Sequence, residues 1–353
     1  MWWRIALIVV SGLAAVAPVS ARAVERVYSN GLYALLQPRL TSVSNVVPFA
    51  LVDVLILLIS AGWLALAGRD LVRASRGGWA KSAARIGMRT LTWSAALYLL
   101  FLAVWGLNYR RVRLVDKFEF SPDTVTSASA LAIANQAVDE LNDLHQPAHE
   151  GGWAAADAID PALAASFDGA VKDTGSTHDV VAGQPKRSLL DWYFRRAAVS
   201  GMTDPFFLET LVASDVLPFE RPIVHAHEWS HLAGIADEGE ANFVAWLACV
   251  RGTPPHRYSA WLFLYQELLP SIDRRDRGTV AARLESGPRE DLRAIRERFA
   301  RNVSPRLFAI GWKVYDSYLK ANRVESGAAS YAEVIRLVLG VRYAGEWKPL
   351  LRS

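Results

Sequence analysis

The chain is poor in the residues that build disulfide scaffolds, and its charge is not arranged as in nucleic-acid binders. Among 353 residues there is one cysteine, Cys249, which excludes an internal disulfide framework and a Cys-rich zinc site. A strong net charge is also lacking, at +4, but the charge is unevenly spread. Residues 1–113 carry 13 Lys and Arg against 3 Asp and Glu, while the remaining 240 residues carry 26 against 32. The basic residues lie between apolar stretches rather than on a folded module, so nucleic acid is not an expected partner. No internal repeat or low-complexity tract is visible.

What is present in excess is apolar surface, 52% of the residues, which points to the lipid bilayer as a partner. Three apolar runs cover roughly residues 5–20, 47–67 and 90–107. The second and third are long enough to cross a hydrocarbon core of about 30 Å as helices. The first is shorter and ends in Ser20-Ala21-Arg22-Ala23, similar to a signal-peptidase site, yet it reads as a retained span. Asp53, near one end of the second run, is expected to be solvated at the interface, and Trp63, Trp93 and Trp105 to be interfacial aromatics. Between the second and third runs, Arg69, Arg73, Arg76, Lys81, Arg85 and Arg89 face Asp70 alone. Positive charge stays inside, so this loop is cytoplasmic and everything after Asn108 is extracytoplasmic. Arg110, Arg111 and Arg113 argue weakly the other way. The expected organisation is a membrane domain over 1–113 and a soluble domain over 114–353.

Beyond the spans the pattern is mostly helical. Ser121-Pro122-Asp123 opens a helix carrying Leu131, Ala134, Val138 and Leu141 at helical spacing, expected over 123–145. Phe206–Val216, between Pro205 and Pro218, is the best strand candidate and an edge on which an extended peptide could lie. Helices follow at about 222–233, 239–250, 255–270, 288–300, 304–322 and 329–341, with Arg274-Arg275-Asp276-Arg277 expected in a solvated loop.

His227-Glu228-Trp229-Ser230-His231 carries the chemistry. On a helix, residues four apart share a face, so both imidazoles reach one metal ion while Glu228 takes a proton from its bound water. Zn2+ suits such a donor set and wants a third protein ligand and one open position. Three acids after Gly234 compete for that place: Asp237, Glu238 and Glu240. Glu238, Ala241 and Asn242 share one helical face. The other histidines read as structural: Pro147 is expected to break the helix that would align His145 with His149, and His225 faces away from the motif's ligand face.

The stretch Glu238-x-x-Ala241-Asn242 resembles the second metal-binding helix of zincins. That resemblance implies Glu238 as the third ligand, Ala241 as a close-packing residue and Asn242 as the partner that orients a ligand histidine. The whole chain resembles an uncharacterised bacterial family of three-pass membrane proteins with an HExxH domain, catalogued as a domain of unknown function. The marks are Tyr28-Ser29-Asn30-Gly31-Leu32-Tyr33, Trp105-Gly106-Leu107-Asn108-Tyr109, and Gly201 with Pro205-Phe206 and Glu209. The HExxH and E-x-E-A-N-F stretches follow, then Tyr318-Leu319-Lys320-Ala321-Asn322 with Ser330-Tyr331. The family tends to a non-acidic residue where this chain has Asp237, and Trp229-Ser230 replaces its smaller apolar pair.

These readings converge on a mainly α membrane protein: three N-terminal transmembrane helices, then a mostly helical, zincin-like α+β domain with a short strand region before the HExxH helix. The expected activity is hydrolysis of a peptide or protein substrate at the outer face of a bacterial inner membrane. Glu228 is the base, and Tyr318, Tyr331 or, less favoured, Lys320 would be the oxyanion donor, unless these residues only pack the last helices. The alternative is a non-catalytic metal-binding protein with a sensing or scaffolding role.

Overall fold

The computed structural model describes residues 2–322 and 333–352, and the chain is mainly helical. Helices Leu51–Gly77 and Trp79–Val104 form an antiparallel pair joined only by Gly78, whose φ of 92° lets the chain reverse without a Cβ clash. At 1.5 Å per residue each is about 40 Å long, longer than a hydrocarbon core. Their apolar windows, Leu51–Ala74 and Trp79–Val104, are long enough to cross a membrane. Leu57, Leu58 and Leu64 stand out from this pair with more than half their surface exposed. A third candidate arises if helix Trp2–Val16 and the segment 21–46, bent by 108° from it, count as one.

The basic stretch expected as a loop is therefore the far ends of two long helices. Asp70 is buried there between Arg89 (2.7 Å) and Arg85 (3.4 Å), which ties the ends together.

Residues 24–46 do not stay with the spans. Tyr33 donates to the Leu232 carbonyl at 2.8 Å, Thr41 to the Leu208 carbonyl at 3.0 Å, and Ser44 to Glu209 Oε1 at 3.1 Å. Glu209 also accepts from the Leu51 and Val52 amides, both at 3.0 Å, and from Lys186 Nζ at 2.7 Å. A carboxylate at a helix start satisfies free N–H groups and complements the helix dipole. Glu209 thus fastens the start of the first long span to the sheet beneath the site. Asp53, expected to be solvated, accepts from Ser188 Oγ (2.6 Å) and the Leu189 amide (2.8 Å) and fastens the same junction.

The sheet is small: β1 (Pro185–Lys186), β2 (Gly201–Asp204) and β3 (Glu209–Val212), in the order β1-β3-β2. β3 runs parallel to β1 and antiparallel to β2, with Met202 opposite Leu211. The single strand expected over 206–216 is in fact a hairpin. Its turn holds Leu208 at φ 54°, and its first arm precedes the apolar run that suggested a strand.

Helix Glu238–Val250 is buried along its whole length, as a central helix walled on all sides must be. Trp229, Trp246, Trp261, Tyr258 and Phe243 fill the core around it with no exposed surface. Two expectations fail nearby. Helix Ser127–Gly151 passes through Pro147 without ending, and the cluster Arg274–Arg277 opens a helix, Arg274–Ala282, rather than lying in a loop.

Candidate metal centre

Helix Arg221–Leu232 presents the motif. Pro222 sits in its first turn, where no N–H is needed, and Gly234 at φ 77° follows its end. The carbonyls at a helix end need partners when buried, and here those of residues 231–234 are met by side chains from the N-terminal third. Trp105 Nε1 donates to His231 O at 2.9 Å and Tyr33 to Leu232 O. Arg111 donates to Ala233 O (3.3 Å) and Gly234 O (2.9 Å) while pairing with Glu25 at 2.8 Å. Trp105 is therefore buried against the motif rather than interfacial. Ser29 donates to Asn108 Oδ1 at 3.0 Å, and that oxygen would lie only 3.0 Å from a Cβ on Gly234.

One turn apart, His227 and His231 point the same way, with their Nε2 atoms 3.2 Å apart. Glu238 enters from the first turn of the next helix. Its Oε2 lies 3.2 Å from His227 Nε2 and 3.6 Å from His231 Nε2. Two ligands about 2.1 Å from a tetrahedral zinc stand roughly 3.4 Å apart, so the three separations match one small cation. Glu238 Oε2 is buried and has no well-formed hydrogen bond among the described residues, an orphan that a cation would satisfy. Burial alone would raise the Glu238 carboxyl, but the two imidazoles hold it well below the usual range. Burial likewise pulls His231 down, and the Glu238 carboxylate outweighs this and lifts it to about 9. A proton on His231 thus balances Glu238 where a metal would, and metal binding would release it.

The other acids turn away. Glu240 Oε1 accepts from the Leu114 amide at 2.6 Å, and burial, with Asp237 nearby, pushes its carboxyl up to about 8. Asp237 caps its own helix through the Glu240 amide at 3.1 Å. His225 lies buried beside the Trp229 ring, outside the cluster.

Glu228 is buried against β2. Its Oε2 accepts from Thr203 Oγ1 at 2.9 Å, and a Cβ on Gly201 would come within 2.5 Å of its Oε1. Burial raises its carboxyl above the ordinary value.

Orientation of the imidazoles differs from expectation. His231 Nδ1 is held by the Ile235 carbonyl at 2.7 Å, because the chain turns back over the ring after Gly234. Among the described residues no hydrogen bond joins Asn242 to either imidazole, and His227 Nδ1 is buried without a partner. Tyr318 packs on the Phe101 and Tyr109 rings, 6.3 and 5.9 Å away, and Lys320 pairs with Asp316. Tyr331 lies outside the described residues. Among the described residues it is Tyr315, one turn before Tyr318, that donates to Glu238 Oε1. Its only signal in the sequence is that it shares a helical face with Tyr318.

No curated protein and no solved structure matches the chain. A family model does match, over residues 28–339, a span that begins at the segment locking the end of the HExxH helix and runs beyond the cluster itself. The chain belongs to that family, described as Protein of unknown function (DUF3810).

Proposed function

We propose that the protein is a membrane-anchored zinc-dependent peptidase whose metal is held by His227, His231 and Glu238. The observation that carries this reading is the convergence of two Nε2 atoms on one orphaned carboxylate oxygen, beside a buried second carboxylate. When bound, zinc supplies a Lewis acid that polarises a carbonyl and lowers the pKa of a coordinated water. Glu228 takes the proton from the attacking water and returns it to the leaving amine. Thr203 and the bare backbone of Gly201 hold that carboxylate in one place, and burial raises its pKa above the ordinary carboxylate value. Ile235 fixes the His231 ring, and Tyr315 fixes the Glu238 carboxylate.

The side of the membrane follows from charge. The six basic residues cluster at one end of the long helix pair, so that end is cytoplasmic. The opposite end joins residues 24–46 and everything after 104, which supports an extracytoplasmic site. Of the three arginines that weigh the other way, Arg113 stays exposed beside Asp116 and the other two are engaged in the fold. Arg110 donates to the Ala14 carbonyl at 2.9 Å and Arg111 is spent on helix-end carbonyls, so neither is free to report topology.

The test is metal content by mass spectrometry together with cleavage of a quenched peptide library by the detergent-solubilised chain. His231→Ala should hold one zinc fewer than wild type. Glu228→Gln should hold as many but lose at least about 100-fold in turnover. Unchanged metal content in His231→Ala would end the reading.

A further inference from the structure

A second pair of histidines stands on helix Ser127–Gly151. Because the helix continues through Pro147, His145 and His149 fall one turn apart on the same face, with ring centroids 4.3 Å apart. Both face Asp291, which comes from helix Ser286–Asn302. His149 Nε2 is 2.9 Å from Asp291 Oδ2 and His145 Nε2 is 3.6 Å from it, beyond hydrogen-bond reach. Three donor atoms, one from each residue, lie within 4.8 Å of one another.

The neighbours hold these groups in place. Tyr258 donates to Asp291 Oδ2 at 2.6 Å from beneath, with its ring 5.7 and 5.9 Å from the two imidazoles. Trp153 and Phe219 wall the His149 ring. Gly287, one turn before Asp291, runs its backbone against the His145 ring, where a Cβ would collide with the imidazole. Each helix therefore contributes two positions one turn apart: on one side two imidazoles, on the other a bare backbone and a carboxylate. Asp291 is largely covered, at 11% side-chain exposure, while His145 and His149 keep 28% and 38%. The cluster is open to solvent on the histidine side, which leaves a path for an ion and room for water ligands.

We infer that His145, His149 and Asp291 form a second divalent-metal site that clamps helix Ser127–Gly151 to helix Ser286–Asn302. Two imidazoles and a carboxylate select a transition ion such as zinc over calcium or magnesium, which prefer all-oxygen cages. The hydrogen bond from Tyr258 holds the carboxylate in place but occupies Oδ2, the oxygen that His149 also contacts. The ion joins residues 142 positions apart in sequence. It binds the folded chain and not the unfolded one, so it stabilises the fold in proportion to its concentration. Nothing in this depends on the HExxH cluster binding metal or on peptidase activity.

The experiment uses the full chain in detergent with His227→Ala and His231→Ala together, stripped with a chelator. Zinc is titrated against a competing metal-binding dye, and thermal unfolding is followed with and without zinc. The expected result is uptake of about one zinc per chain and a rise in Tm of a few degrees, both lost on adding His149→Gln. No zinc uptake in that background, or uptake unaffected by His149→Gln, overturns the site. Should the double variant fail to fold, wild type is compared with His149→Gln alone, a change at a side chain more than a third exposed. A difference of one ion supports the site, and no difference overturns it. Wild type holding a single ion that disappears in His149→Gln would keep this site and remove the first.

Discussion

The protein places the same four groups together twice. At the HExxH helix, two histidines one turn apart meet Glu238, and Tyr315 donates to that carboxylate. At helix Ser127–Gly151, two histidines one turn apart meet Asp291, and Tyr258 donates to it. The difference lies in which oxygen each donor takes and in what stands alongside. Tyr315 uses Glu238 Oε1 and leaves Oε2 to the imidazoles, whereas Tyr258 and His149 share Asp291 Oδ2. The first cluster is enclosed, with donor side chains 4–15% exposed, and has a buried second carboxylate, Glu228, beside it. The second reaches 38% exposure at His149. Spacing on a helix thus makes a place for an ion. On the proposed reading, enclosure and an adjacent carboxylate are what would make the first place reactive and leave the second structural.

Glycine sharpens the comparison, because each cluster rests on one. Gly201→Ala drives a methyl group into Glu228 Oε1, and Gly287→Ala drives one into the His145 ring. The first change should cost on the order of 100-fold in peptide hydrolysis while metal content stays at the wild-type value, since displacing a catalytic group by about 1 Å costs that much. The second should cost the second ion and leave hydrolysis within about twofold. Zinc stoichiometry and turnover on the same preparations check both. If Gly201→Ala lowers metal content instead, Glu228 acts through the metal cluster rather than on substrate.

The two clusters were not equally legible. His227, Glu228 and His231 follow from helical periodicity within five consecutive residues, where the side-chain direction is set by the backbone, whereas Glu238, on the next helix, is singled out from three candidate acids only by the resemblance to zincins. The same periodicity applied to His145 and His149, but Pro147 was weighted as a helix breaker. Proline removes one N–H and crowds one carbonyl. This helix is fixed by packing over 25 residues, with Ala134, Ala137, Val138, Leu141 and Ala148 wholly buried, and it absorbs that local cost. Tertiary burial outweighed local propensity.

What spacing could not show is everything that arrives from elsewhere in the chain. Tyr315 comes from 77 positions beyond Glu238, and no local pattern separates it from Tyr318. Asn242 stood at the expected offset, yet the tight turn after Gly234 brought the Ile235 carbonyl to His231 first. The stretches around Tyr33 and Trp105 give no local hint of their task. They satisfy the carbonyls at the end of the motif helix, and so the boundary drawn at residue 113 cuts through the site's own support. The two long apolar helices are legible because an uninterrupted apolar run of more than about 18 residues is itself the signal. The hairpin was half legible: the apolar stretch marked its second strand, while Gly201–Asp204 lacks the β-branched run that marks a strand.

The smallest and most discriminating effect concerns the two tyrosines. Tyr315→Phe leaves Glu238 Oε1 without its donor, but Oε2, the oxygen between the imidazoles, is untouched. Outer contacts of this kind tune ligand basicity and orientation, so zinc affinity at the first cluster should fall by about tenfold, with stoichiometry unchanged at saturating zinc. Tyr258→Phe removes a bond to Oδ2, the very oxygen that His149 also contacts. Losing a hydrogen bond to a buried carboxylate destabilises the metal-free fold by about 2 kcal/mol, yet it also frees Oδ2 for an ion. Zinc should then recover a larger share of the lost stability than it contributes in wild type. The two effects run in opposite directions: weaker binding at the first cluster, and a larger zinc-induced rise in Tm at the second. Measuring Tm with and without zinc for both variants separates them. A zinc-dependent rise in Tm that is smaller in Tyr258→Phe than in wild type would mean that the shared oxygen is not the one facing the ion.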